Sequence, residues 1–165
     1  MMKKVLAAAV MLGCSISAQA SEGGYFGTTA GLMKTSISGD SPFNAGLRAG
    51  YAWNSGFAVE GEYTTSLVDG EARYNGSWGD FRWDYSISTL GVYAAYRSQG
   101  DIYFKGRLGV LNESVDFEGE KESDSGLSAG LGIGFSFSEN VNLEAEYTLV
   151  EEDVDFWSGT LVFRF

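Results

Sequence analysis

The sequence predicts an all-β protein whose eight antiparallel strands run up and down and close into a transmembrane β-barrel. Three observations predict it. Apolar and polar residues alternate with a period of two along most of the chain, the spacing of side chains on a strand rather than a helix. In the clearest segment the face opposite the apolar one is nearly all glycine and serine, which suits the crowded inside of a narrow barrel with its apolar face turned to lipid. The connections alternate between short and long, as in barrels that cross a membrane.

The chain opens with an export signal. Met1-Met2-Lys3-Lys4 is a basic start, and Val5 to Leu12 is an apolar run too short to span a bilayer. Ala18-Gln19-Ala20 is a small-x-small cleavage site ahead of Ser21. Residues 1–20 are therefore expected to be a signal peptide and residues 21–165 the mature barrel domain. Met11-Leu12-Gly13-Cys14 loosely resembles a lipoprotein cleavage site, but Met11 stands three residues before Cys14 and the later Ala-x-Ala is cleaner. No later stretch reaches the roughly 18 consecutive apolar residues of a membrane helix. The mature chain is then either soluble or a barrel, because lipid admits only structures that satisfy every backbone polar group internally.

The strands follow in chain order. Tyr25 to Lys34 is strand-like, with Gly27 and Gly31 blurring its faces. Leu47, Ala49, Tyr51 and Trp53 alternate with Gly46, Arg48, Gly50 and Ala52. Phe57, Val59, Gly61 and Tyr63 alternate with Ala58, Glu60, Glu62 and Thr64. Between Asp84 and Arg97 the apolar parity changes from Tyr85 and Ile87 to Leu90, Val92, Ala94 and Tyr96, and a bulge near Thr89 would explain the switch. Phe104, Gly106, Leu108 and Val110 alternate with Tyr103, Lys105, Arg107 and Gly109. From Gly126 to Phe137, Leu127, Ala129, Leu131, Ile133, Phe135 and Phe137 oppose Ser128, Gly130, Gly132, Gly134 and Ser136. Val141, Leu143, Ala145, Tyr147 and Leu149 alternate with Asn142, Glu144, Glu146 and Thr148. Trp157, Gly159, Leu161, Phe163 and Phe165 end the chain against Thr160, Val162 and Arg164. The connections at 54–56, 97–101 and 138–140 read as turns, and those at 36–44, 65–82, 113–125 and 150–155 as longer polar loops.

Composition narrows the chemistry. With 22 Asp and Glu against 11 Lys and Arg the net charge is −11, which argues against nucleic acid as a partner because phosphate binding needs basic patches. Histidine is absent and the only cysteine, Cys14, lies in the export segment. That removes histidine-based triads, Cys-His pairs, disulfides and zinc sites built on these residues. No cofactor is expected, and carboxylates alone would have to carry any catalysis.

These features resemble the small outer-membrane β-barrel family of the OmpA and OmpX type, over about residues 21 to 165. The export signal, the eight alternating segments and the ending Leu161-x-Phe163-x-Phe165 carry the resemblance. One departure is visible: the glycine often found five residues before the final aromatic is Thr160 here, with Gly159 one place earlier. The resemblance implies the bacterial outer membrane, both termini in the periplasm, a monomer among lipid and lipopolysaccharide, and an assembly signal at Leu161, Phe163 and Phe165 read by the barrel-insertion machinery. It specifies fold and compartment more than function, since members are structural, adhesive, pore-like or enzymatic. The enzymatic relatives typically use a histidine, so a non-enzymatic chain is expected.

Eight charges fall on positions expected to face the lumen: Arg48, Lys105, Arg107 and Arg164 against Glu60, Glu62, Glu144 and Glu146. An eight-stranded barrel is just wide enough for side chains to fill it, so mutual pairing is expected. Turn geometry suggests Arg48 with Glu60, and Arg164 with Glu146 or Glu144, leaving Lys105 and Arg107 to reach across the lumen, Arg107 towards Glu144 among others. Such a network serves either as a structural plug or as a gated path for small ions. Asp116, Glu118, Glu120, Glu122 and Asp124 alternate along one loop and Glu151, Glu152, Asp153 and Asp155 crowd another. These are either a solvated, repulsive surface or a place where divalent cations bind at the lipopolysaccharide layer. Gly130-Leu131-Gly132-Ile133-Gly134 is not a dinucleotide loop, because Phe135 stands where the third glycine would be and no helix follows. Three functions compete: a structural or surface-interaction barrel, a small pore or transporter for ions or small solutes, and a soluble periplasmic β-barrel binding protein.

Overall fold

The computed structural model describes residues 22–35, 39–76, 79–117, 120–151 and 154–165. They form strands β1 (Gly23–Thr35), β2 (Gly39–Asp40), β3 (Phe43–Ala52), β4 (Phe57–Val68), β5 (Gly70–Gly76), β6 (Gly79–Arg97), β7 (Ile102–Phe117), β8 (Glu120–Ser136), β9 (Val141–Glu151) and β10 (Val154–Arg164). Eight of them close a barrel in the order β1-β3-β4-β6-β7-β8-β9-β10, and β10 returns antiparallel to β1 from Tyr25↔Arg164 to Thr35↔Val154. β5 pairs with the far end of β6, and β2 pairs with β5, so these two short strands extend one end of the barrel.

The other end carries the tight turns and both chain termini. Gly56 (φ +88°) and Gly100 (φ +118°) occupy the left-handed region there, where a side chain would be strained. The Phe165 amide donates to the Gly24 carbonyl at 3.0 Å and ties the last residue to the first strand.

The distribution of side chains inverts that of a soluble protein. Leu127, Leu131 and Phe104 are 80, 73 and 73 % exposed on the outside, whereas Arg48, Glu60 and Glu144 are at most 1 % exposed inside. So large an apolar outer surface needs lipid against it. In β3, β4, β7, β8, β9 and β10 the expected alternation matches the burial pattern wherever the two faces differ, while Gly132 and Ile133, like Phe163 and Arg164, are alike half-buried.

Two sequence-based expectations are corrected. No bulge interrupts β6 at Thr89: the pairs Thr65↔Ser88, Thr64↔Thr89 and Tyr63↔Leu90 run on without a shift, as do Thr89↔Glu113 and Leu90↔Asn112 on the other side. Odd positions face inward along the described side chains of this strand, from Tyr85 and Ile87 to Tyr93, Ala95 and Arg97. What changes near Thr89 is the surroundings. Towards the hairpin end the lumen holds an apolar cluster of Met33, Tyr85, Ile87, Tyr93, Leu111, Val150 and Phe156, while the outer face of β6, β7 and β8 turns polar. There Thr65 meets Ser88 at 2.9 Å, Ser114 meets Ser123 at 2.8 Å and Asn112 donates to Ser125 at 2.9 Å.

The same reversal explains the second correction. The segments 65–82 and 113–125, read as loops, are largely strand: β4 runs on to Val68, β5 and β6 form a hairpin, and β7 and β8 stay paired to Phe117↔Glu120. Ladder hydrogen bonds continue where the apolar outer face stops, so a period-two search for hydrophobicity ends too soon. Register shifts do occur, at Phe43/Asn44 and Val154/Asp155.

The faces are testable. In bilayers, cysteine at Leu131 is expected to react with a lipid-soluble label and resist an aqueous one. Cysteine at Ser125, beyond the change of polarity, should react with the aqueous reagent. Leu131→Arg should cost about 2–4 kcal/mol of barrel stability, the usual range for a midplane charge facing lipid. Rapid aqueous labelling at position 131 would contradict the assigned faces.

Candidate functional site: the charged lumen

The period of two points Arg48, Glu60, Glu62, Arg97, Lys105, Arg107, Glu144 and Glu146 into the barrel, all nine-tenths or more buried. Eight long side chains can share this space because the wall beside them is bare. Arg107 lies across the β7–β8 ladder from Gly130, Lys105 from Gly132 and Tyr103 from Gly134. On the β8–β9 ladder Gly132 and Gly134 face Glu146 and Glu144. A Cβ at Gly132 would sit 2.6 Å from the Glu146 Cγ, and one at Gly130 would sit 3.0 Å from the Arg107 side chain. The glycine and serine face of β8 is thus the room in which the charges meet.

They meet as two linked rings. Nearer the turns, Glu60 and Glu144 are each held by Arg97 and Lys105. Arg97 donates from Nη2 to Glu60 Oε1 at 2.6 Å and from Nε to Glu144 Oε1 at 2.7 Å. Lys105 Nζ lies 2.9 Å from Glu60 Oε1 and 2.8 Å from Glu144 Oε2. Further in, Glu62 and Glu146 are each held by Arg48 and Arg107. Arg48 Nε donates to Glu62 Oε2 at 2.8 Å and its Nη1 donates to Glu146. Arg107 Nη2 donates to Glu62 Oε1 at 3.0 Å, and its Nε lies 3.3 Å from Glu146 Oε2. Arg48 Nη1 to Glu144 Oε2 at 3.1 Å and Lys105 Nζ to Glu146 Oε1 at 3.2 Å join the rings.

Tyrosines close both sides of the network. Tyr25 donates to Glu60 at 2.7 Å with Arg97 over its ring at 4.7 Å, and Tyr103 donates to Glu144 at 2.9 Å. Arg107 lies 4.3 Å over the ring of Tyr93, the aromatic that begins the apolar cluster beyond. Four cations and four anions therefore balance. Desolvating them is expensive, and only mutual pairing and these added hydrogen bonds offset it.

The structure departs from the sequence reading at several residues. The β3–β4 hairpin pairs Ala52 with Ala58, which puts Glu62, not Glu60, opposite Arg48; the expected ion pair of Arg48 with Glu60 is present but long, at 3.9 Å. Arg107 pairs with Glu62 and Glu146 and makes no ion pair with Glu144 among the described residues. Arg164 stands apart from the rings and ion-pairs with neither Glu144 nor Glu146. With the Asn142 amide oriented oxygen-first, its Nε and Nη2 donate to Asn142 at 3.1 and 3.2 Å.

The fourth ring cation is Arg97, which the sequence reading left in a turn. Extending the odd parity of Tyr93 and Ala95 by one step would have placed it in the lumen. Of the C-terminal residues, Phe163 stacks on Phe26 at 5.2 Å on the outer face, and Leu161 and Phe165 share that face. Ala18, Ala20 and Ser21 lie outside the described residues, as do Glu118, Glu152 and Asp153. Among the described residues no group of three or more carboxylates is placed to hold a metal ion.

Comparison with known proteins agrees with this architecture. The family model of the outer membrane protein beta-barrel domain matches residues 6–165. Comparison with curated proteins finds no match. Among solved structures, Neisserial surface protein A superposes with a TM-score of 0.58 at 21 % identity, over 86 % of this chain and 97 % of that one. OprG of Pseudomonas aeruginosa does so with 0.57 at 14 % identity, over 87 % and 93 %. Ail, the attachment invasion locus protein of Yersinia pestis, solved with the heparin analogue sucrose octasulfate, gives 0.52 at 20 % identity, over 87 % and 97 %. At these identities the likeness is one of fold.

The rings rank the lumen residues. Arg48→Ala strands several carboxylates and is expected to cost about 3–5 kcal/mol against urea, the range for breaking a buried pair. Arg164→Ala, outside the rings, should cost less than about 1 kcal/mol. A double-mutant cycle of Arg107→Gln with Glu62→Gln should show coupling of about 0.5–3 kcal/mol, and the same arginine with Glu144→Gln much less. The opposite order of couplings would refute the ring assignment.

Proposed function

The chain belongs to the outer membrane protein beta-barrel domain family, and from its filled lumen we propose that it is a closed, non-enzymatic barrel with a structural and surface-interaction role in the outer membrane. One observation carries this reading: the lumen holds the two charge rings and, stacked on them, the apolar cluster from Tyr93 to Met33. An ion entering from the turns meets four balanced pairs, and one passing them meets a layer packed by the apolar cluster, with buried Asn44, Thr64, Thr89, Glu113 and Ser128 beside it. The gated-path alternative would have to displace both layers. The soluble periplasmic alternative is set aside by the lipid-facing apolar wall and by family membership.

In this reading residues 1–20 are removed on export, the turns and both termini face the periplasm, and the long hairpins face outward. Asp84, Glu122 and Asp124 are exposed there. So acidic a surface repels a polyanion and favours a cationic partner, or lipopolysaccharide phosphates bridged by divalent cations. Phe163 and Phe165, on the lipid side of the closing strand, act as the signal for the insertion machinery.

Purified protein in planar bilayers is expected to show little or no steady conductance. Large, stable channels from the unmodified chain would promote the pore reading. For assembly, deletion of Phe165 is expected to lower outer-membrane yield and leave periplasmic aggregate. An unchanged yield with unchanged heat-modifiable gel mobility would remove the signal from this residue.

A further inference from the structure

At the turn end, outside the charge rings, lies a cavity of about 330 Å³ whose lining includes Trp53, Arg97, Gln99, Tyr103, Ser136 and Arg164. Two guanidinium groups line it and no carboxylate does. That is unusual in a chain with twice as many acidic as basic residues, 22 against 11. The two arginines differ in their commitments. Of the five N–H donors of a guanidinium, Arg97 gives three to Glu144, Glu60 and Tyr25, and two remain. Arg164 gives donors only to the neutral Asn142 amide and has no ion pair among the described residues. Since the rings are balanced without it, Arg164 brings to the cavity a guanidinium with no carboxylate at ion-pairing distance among the described residues. The acidic residues of this end do not line the cavity. Asp101 and Glu139 are exposed, and Glu22 is engaged by Tyr51 and Asn54, the latter at 2.9 Å.

We propose that this cavity binds a small oxyanion, a carboxylate or phosphate group. Arg164 supplies the net charge and its planar fork, which matches two oxygens of such a group. The spare donors of Arg97 supply a fixed second contact, because the rings already hold that guanidinium in place. Ser98, Gln99 and Ser136 add neutral polar groups around it. The volume accommodates a free anion or a single headgroup, and the chemistry recognised is the same in both.

Refolded protein carrying ¹⁵N-arginine tests this in two settings. In zwitterionic micelles, inorganic phosphate and, separately, succinate are expected to shift the Arg97 and Arg164 Nε–Hε signals saturably. In phosphatidylcholine nanodiscs, the same signals are compared with and without phosphatidylglycerol. Shifts with phosphate or succinate assign a free anion, shifts with phosphatidylglycerol alone assign a headgroup, and either supports the site. Arg164→Gln, read on Arg97, should weaken binding by about tenfold or more, as for loss of a charge-assisted pair. Gln99→Glu, on an exposed turn that carries no ring contact, should weaken it too and leave the melting temperature unchanged. No saturable shift below about 100 mM anion together with none from phosphatidylglycerol, or equal affinity in both variants, would overturn the proposal.

Discussion

The structure depends on charge balance inside a space that excludes water. Arg48, Arg97, Lys105 and Arg107 can be buried only because Glu60, Glu62, Glu144 and Glu146 are buried with them. Each ring alternates sign, so every carboxylate lies between two cations. This arrangement constrains everything around it. It needs wall positions without side chains, hence Gly130, Gly132 and Gly134. It needs hydroxyls at its boundary, hence Tyr25 and Tyr103. It also needs a single register, since a slip by one residue on any strand would turn its charges to lipid and its leucines inward. Buried ion pairs add little net stability but penalise every incomplete arrangement, so here they act on specificity of closure.

The second constraint is the change of medium along each strand. Through the lipid layer the outer face is apolar and the lumen polar. Beyond it β6, β7 and β8 continue into water, and the two faces exchange character. Tyr85, Ile87 and Leu111 then pack inside, with Ser88, Asn112, Ser114 and Ser125 outside. The strands therefore leave the membrane without fraying, because a small core of the soluble kind takes over where the bilayer ends.

This exchange separates what was legible in the sequence from what was not. The lipid-facing strands were legible because Leu127 to Phe137 and Val141 to Leu149 alternate cleanly within one medium. Tyr85 to Tyr96 misled because its apolar residues change face while its backbone does not, and hydrophobicity alone reports that as a bulge. Seven of the eight ring residues stood on clean alternations. Arg97 escaped because it ends its strand, where turn and strand look alike in sequence. The partners within the rings were not legible, because they depend on hairpin register and on reach across the lumen. A hairpin centre one residue from its expected place exchanged Glu60 for Glu62 opposite Arg48.

Balance inside also decides what the outside carries. The rings take four of the 11 basic and four of the 22 acidic residues and cancel, so the net charge of −11 lies outside them. Under the proposed closed reading, neutral pairs leave the rings with little charge to draw ions through, and the unpaired charge lies elsewhere. Long-range attraction and repulsion act at surfaces, so in the proposed reading any selectivity would reside in the acidic hairpins at one end and in the arginine-lined mouth at the other. The barrel wall holds those two surfaces at opposite ends of the strands, in fixed orientation.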